Sequence, residues 1–143
     1  MKKLVGRRWG HYKVLHEGTD YVVKELVIHP GRGISYQRHK NREEYWWIRS
    51  GVATIKYAYK VAGEDRYAVR GRERSFRVHK EMWHMVFNES DEDLRILEMQ
   101  VGECSEEDIE RLYYYEEVRA SEESRGSRDS GSRSSEAGSG LVS

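Results

Sequence analysis

A chain of 143 residues suits one domain with a modest core, and its 25 basic and 25 acidic side chains cancel to a formal charge of zero. That balance argues against nucleic acid or an anionic membrane as the main partner. No apolar run approaches the roughly 20 residues of a bilayer span. Gly6, Arg7, Arg8 and Gly10 stand where a signal peptide would be apolar, and the single cysteine, Cys104, excludes an internal disulfide or a thiolate zinc cluster. A soluble, cytoplasmic domain is expected.

In chain order, Tyr12 to Leu15 and Tyr21 to Ile28 read as strands, being rich in β-branched and aromatic residues and separated by Gly18. His29-Pro30-Gly31-Arg32-Gly33 is a turn. Strands then recur about every ten residues, as in a barrel or sandwich: Tyr45 to Arg49, Val52 to Tyr59, Tyr67 to Val69, Ser75 to His79, Trp83 to Phe87 and Leu94 to Val101. Arg70 to Arg77, interrupted by Glu73, reads as a solvated hairpin. Ser105 to about Glu116 predicts the one helix, with Ser105 as cap and Ile109 and Leu112 as an apolar stripe that Tyr113, Tyr114 and Tyr115 would help dock. From about residue 120 the Ser, Gly, Arg and Glu composition offers almost nothing to bury, which predicts a disordered tail over 120–143 and a folded domain over 1–119.

One constellation in this pattern suits metal chemistry. Gln37 and His39 are two apart and share a strand face. Glu44 shares a face with Trp46 and Ile48, residues that a barrel interior wants, and a carboxylate there is costly unless paired or ligating. His84 sits in the apolar run Trp83-His84-Met85-Val86-Phe87. Together Gln37, His39, Glu44 and His84 form a mixed N/O donor set for one divalent ion, zinc foremost, with manganese, cobalt, nickel or iron(II) as alternatives. With Trp46 inward, Tyr45 and Trp47 point outward, a face suited to another subunit. A homodimer is therefore a candidate assembly.

The same spacing resembles the two motifs of the cupins, with Gly31 and Gly51 in register and Asn88 fitting the second motif. More narrowly, the chain is similar to the type II mannose-6-phosphate isomerase cupins, a domain that also forms the C-terminal part of bifunctional mannose-1-phosphate guanylyltransferase/isomerase enzymes. Arg8-Trp9-Gly10-His11-Tyr12 stands where that family reads RPWGxY, and Gln37 to Trp46 matches Q-x-H-x-H-R-x-E-H-W. Met99 to Leu112 matches its ending, VQVGExxxEDDIxRL. The likeness covers residues 7 to 117 in order and implies a stand-alone, all-β double-stranded β-helix closed by a short C-terminal helix. Asn41 and Tyr45 replace histidines of the family pattern, and His79-Lys80-Glu81 replaces its P-x-G turn.

The resemblance implies a metal-dependent aldose–ketose isomerase that interconverts mannose 6-phosphate and fructose 6-phosphate for nucleotide-sugar and polysaccharide synthesis. Arg42 matches the motif arginine and is the first choice for substrate contact and catalysis; Lys24 and Asn88 are further substrate contacts. The proton-transfer base stays open among His79, Glu98 and Tyr45, of which Tyr45 suits neutral pH poorly with a reference pKa near 10. Two rival readings are a non-catalytic sugar-phosphate-binding or regulatory cupin, and a cupin enzyme acting on another small substrate.

Overall fold

A computed structural model describes residues 3–59 and 64–116, and the expected tail lies outside the described residues. Among the described residues there are eleven strands: β1 (Leu4–Arg7), β2 (Gly10–Glu17), β3 (Tyr21–Ile28), β4 (Tyr36–His39), β5 (Arg42–Ser50), β6 (Ala53–Ala58), β7 (Arg66–Arg70), β8 (Ser75–Val78), β9 (Trp83–Phe87), β10 (Leu94–Gly102) and β11 (Ile109–Tyr113). They form a six-stranded sheet in the order β1-β2-β3-β10-β5-β8 and a five-stranded sheet in the order β11-β4-β9-β6-β7. The paired strands run antiparallel.

Alternation decides what faces inward. On β5, Arg42, Glu44, Trp46 and Ile48 are buried, whereas Tyr45, Trp47 and Arg49 are exposed. On β10 the inward row is Leu94, Ile96, Glu98 and Gln100. Leu26, Ile28, Ile48, Ile55, Val86 and Ile96 fill the space between the sheets around Trp46. Each such side chain contributes about 1.5–3 kcal/mol when fully buried. Trp83, Met85 and Phe87 point the other way from β9 and form a second cluster with Tyr36 and Tyr115.

The helix expected over Ser105–Glu116 is corrected. Ser105 does cap, since its Oγ accepts from the Glu107 amide at 3.1 Å, but the result is a single 3-10 turn at Glu106–Asp108. Ile109–Tyr113 is a strand paired with β4, which would otherwise be an open edge of the five-stranded sheet. Helical residues begin only at Tyr115 and Glu116, bordering the undescribed segment. The tyrosines do dock: Tyr113 stacks on Tyr36 at 5.1 Å and Tyr115 on Phe87 at 5.0 Å. Gly102, at φ 118°, lies so close to the β4–β5 turn that an added Cβ would stand 2.3 Å from the Asn41 carbonyl oxygen. The turn joining His39 to Arg42 is thus held down from β10.

Candidate functional site

Where the inward rows of both sheets become polar, a cavity of about 320 Å³ opens between them. Glu44 on β5 lines it, and His39 at the end of β4 and His84 on β9 converge on that carboxylate, all three buried, with one donor atom from each within 4.8 Å of the others. Glu44 is the bridge: Oε1 is 3.7 Å from His84 Nε2, and Oε2 is 3.7 Å from His39 Nδ1.

His84 is prepared for an electron-pair acceptor. Its Nδ1 lies 2.9 Å from the Met82 carbonyl, which only accepts, so Nδ1 carries the hydrogen and Nε2 the lone pair. That Nε2 is buried without a hydrogen-bond partner. Burial pushes its pKa down to about 4. Burial, with His84 and Arg42 as neighbours, also holds His39 neutral, far below the ordinary imidazole range. Two neutral imidazoles and a carboxylate around an orphaned lone pair fit a divalent metal ion, whose bonds of about 2.0–2.2 Å set neighbouring ligands a little over 3 Å apart.

Gln37 lies beside this group, opposite His84 in the β4–β9 register. Its amide nitrogen, rather than its oxygen, faces His39 Nε2 at 3.1 Å, and Ser35 Oγ donates to its oxygen at 2.7 Å. A hydroxyl also accepts, so Ser35 would satisfy the amide equally with its oxygen turned to the cluster. Arg42 is buried against the same residues. Its NH2 is 3.0 Å from Glu44 Oε2 and 3.1 Å from His39 Nε2, while NH1 is buried without a partner. Much of its charge is therefore committed to Glu44.

Of the candidates for the base, Glu98 alone lines the cavity. Trp46 Nε1 donates to it at 2.9 Å and Gln100 Nε2 at 2.8 Å. Burial, with the Glu44 charge beside it, raises its pKa to about 8. Tyr45 is on the outer face of β5, 37% exposed, with its hydroxyl donating to Glu43. It is the odd neighbour of Glu44, so the pleat turns it away. His79 sits in the turn before Met82 and does not line the cavity.

Asn88 does not line the cavity. Its Nδ2 donates to the carbonyls of Ile28 at 2.9 Å and Glu92 at 2.6 Å, and its Oδ1 accepts from Ser90, which leaves it shaping a turn. Lys24 does reach the cavity, opposite Glu98 in register and 4.6 Å over the Tyr12 ring. Arg7, Arg8 and Arg111 line it too, with Arg111 placed opposite Gln37 by the β11–β4 pairing. Sequence reasoning passed over these three. The polar pair Glu98 and Gln100, continuing the inward row of Leu94 and Ile96, was the readable sign of a site on β10.

The departures from the family pattern fall outside this group. Asn41 is exposed, its amide nitrogen and backbone donating to Asp108. Cys104 donates to the carbonyls of Gln100 and Gly102, and burial raises its pKa, so nothing prepares it as a nucleophile.

Residues 1–114 match the family described as mannose-6-phosphate isomerase C-terminal. A mannose-1-phosphate guanylyltransferase of Salmonella muenchen is 33% identical over 109 residues, covering 76% of this chain and 22% of that protein. The alginate biosynthesis protein AlgA of Pseudomonas aeruginosa is 32% identical over 109 residues, covering 76% and 21%. The chain thus spans about a fifth of the length of these relatives. Among solved structures, the capsular polysaccharide assembling protein CapF from Staphylococcus aureus aligns with a TM-score of 0.73 at 14% identity, over 79% of this chain and 34% of that one. Oxalate decarboxylase OxdC of Bacillus subtilis aligns at 0.66 and 19%, over 77% and 30%. The fold is that of the cupins, and the chain belongs to the mannose-6-phosphate isomerase C-terminal family.

Proposed function

We propose that the protein is a metal-dependent aldose–ketose isomerase acting on a sugar phosphate, interconverting mannose 6-phosphate and fructose 6-phosphate in the cytoplasm for nucleotide-sugar supply. One observation carries this reading: a buried carboxyl, Glu98, stands beside the His39–Glu44–His84 group in a cavity that Arg7, Arg8, Lys24 and Arg111 also line. A phosphate dianion matches those cations, by charge-assisted hydrogen bonds from the arginine forks and the lysine ammonium. With Arg42 committed to Glu44, the phosphate falls to Lys24 and Arg111 rather than to the motif arginine.

His39, Glu44 and His84 would hold the ion, zinc foremost, with Gln37 as an added oxygen donor. A divalent ion there supplies Lewis-acid polarisation of a substrate carbonyl and offsets the Glu44 charge that raises the pKa of Glu98. Glu98 is the proton carrier: as carboxylate it takes the proton from C2 of the open-chain aldose and returns it to C1, as the hydroxyl proton passes from O2 to O1. A pKa near neutrality suits that two-way role. Trp9 and Tyr12 wall the cavity and limit water at the reacting carbons.

The positions of Asn41 and Tyr45 support this reading over a non-catalytic one, since neither replacement touches the cavity. Guanylyl transfer is not carried over, because the chain spans about a fifth of the relatives named for it. The test is a coupled isomerisation assay with zinc, manganese or cobalt on wild type and Glu98→Gln. Metal-dependent turnover that the variant loses supports the proposal. Saturable sugar-phosphate binding with no turnover under any of these ions would replace it with the binding-protein reading.

A further inference from the structure

The inward row of β10 ends in two polar residues, Glu98 and Gln100. Gln100 is 3% exposed and stands opposite Glu44 in the β10–β5 register. Its Nε2 donates to Glu98 Oε1 at 2.8 Å. With the amide nitrogen turned to that carboxyl, the amide oxygen, Oε1, is left buried with no hydrogen-bond partner among the described residues. Arg42, also 3% exposed, is the diagonal neighbour on the facing strand, opposite Gly102. Its Nη1 is a buried donor that likewise lacks a partner. Both residues line the cavity.

We infer that Gln100 and Arg42 form the subsite for one sugar hydroxyl, with Gln100 determining specificity by accepting from it; the inference rests on the isomerase reading above. Buried polar atoms without partners ask for a cause. An acceptor and a donor on one cavity wall ask for a group that gives one hydrogen bond and takes another. A hydroxyl does both, whereas a phosphate dianion only accepts and would face the Gln100 oxygen lone pair to lone pair. With its charge committed to Glu44, Arg42 suits a neutral oxygen through Nη1.

Glu98 selects which hydroxyl. The Gln100 amide is hydrogen-bonded to the carboxyl that takes the C2 proton, so a group held by its oxygen lies one amide's width from the reacting carbons. Hydroxyls at C3 and C4 fall at that remove, while O1 and O2 belong to the proton transfer itself. Neither unpartnered atom is bathed in bulk water. A substrate lacking the hydroxyl therefore leaves both unpaired, a loss that solvent does not make good.

Kinetics of the metal-loaded full chain on mannose 6-phosphate and its 3-deoxy and 4-deoxy analogues tests this. Wild type is expected to lose about 10- to 100-fold in kcat/KM on one of the two analogues, the range of a hydrogen bond involving a charged group. Gln100→Met, close in volume but without the acceptor oxygen, is expected to shrink that ratio about tenfold. A merely structural role for Gln100 would slow all three sugars alike and leave the ratio unchanged. Calorimetry on the same sugars gives the ratio in dissociation constants. A binding ratio that Gln100→Met shrinks, without turnover, would sustain the subsite and overturn the isomerase reading alone. Turnover by wild type with equal kcat/KM on all three sugars would overturn the subsite alone, leaving a trapped water to bridge the two atoms. So would a ratio that Gln100→Met, folded by circular dichroism, keeps in full. Mannose 6-phosphate left unbound by wild type up to about 10 mM would overturn both.

Discussion

His84 Nε2 stands 3.7 Å from Glu44 Oε1 with its lone pair unshared, because the Met82 carbonyl fixes the hydrogen on the opposite nitrogen. A buried polar atom left without a partner is rare in folded proteins and asks for a cause. With His39 completing the group, a bound cation supplies one.

Glu98→Gln keeps the shape of the side chain and removes the carboxylate. Turnover is expected to fall about 10²- to 10⁴-fold, the usual contribution of a positioned acid–base group. Metal content and sugar-phosphate affinity should stay near wild type, which elemental analysis and calorimetry would check.

Lys24→Ala and Arg111→Ala remove cations from the cavity lining. Each is expected to raise KM for the sugar phosphate about 10- to 100-fold, the range of a charged hydrogen bond, with a smaller change in kcat. A non-phosphorylated sugar would respond to neither substitution, and steady-state kinetics on both substrates separates a phosphate contact from general damage.

Asn41→His and Tyr45→His restore the histidines of the family pattern. Since both side chains lie on the outer side of the chain, kcat/KM is expected to move by no more than about twofold, the effect of an ordinary surface change. A large gain in activity on restoring either histidine would place those positions in the chemistry after all.

Much of this architecture was legible because alternation was strong. Tyr21–Ile28 and Trp83–Phe87 have the ends that their β-branched and aromatic runs suggested. The pairing of Gln37 with His39 on one face, and of Glu44 with Trp46, followed from the two-residue period. β11 was not legible: Ile109 and Leu112, three apart, fit a short helix as well as a strand, and only the open edge of β4 decides between them. Arg111 was hidden for the same reason, since its place in the cavity depends on that pairing. Asn88 matched a motif position, yet its side-chain bonds are spent on the turn that follows β9.

The pH dependence of stability in metal-stripped protein follows from His84, His39 and Glu98. Folding lowers the pKa of His84 from 6.5 to about 4, so the unfolded chain binds a proton that the folded chain refuses in that window. Its stabilisation is present above pH 6.5 and is lost as pH falls toward 4, and His39 acts in the same direction. Glu98 is raised from 4.5 to about 8, so its contribution is present below pH 4.5 and lost as pH rises toward 8. Of these groups, the histidines govern the acid side and Glu98 the alkaline side, which places the melting maximum near pH 6.5. Glu98→Gln should flatten the decline between pH 6.5 and 8, as thermal melts after chelation would show.

The most direct test of the account is elemental analysis and calorimetric metal titration of protein purified without chelator, compared with His84→Ala. The account predicts about one divalent ion per wild-type chain. It predicts a loss of affinity in the variant beyond the roughly 10- to 100-fold typical of outer partners, with the fold intact by circular dichroism. Equal and negligible metal in wild type and variant, with both folded, would contradict it.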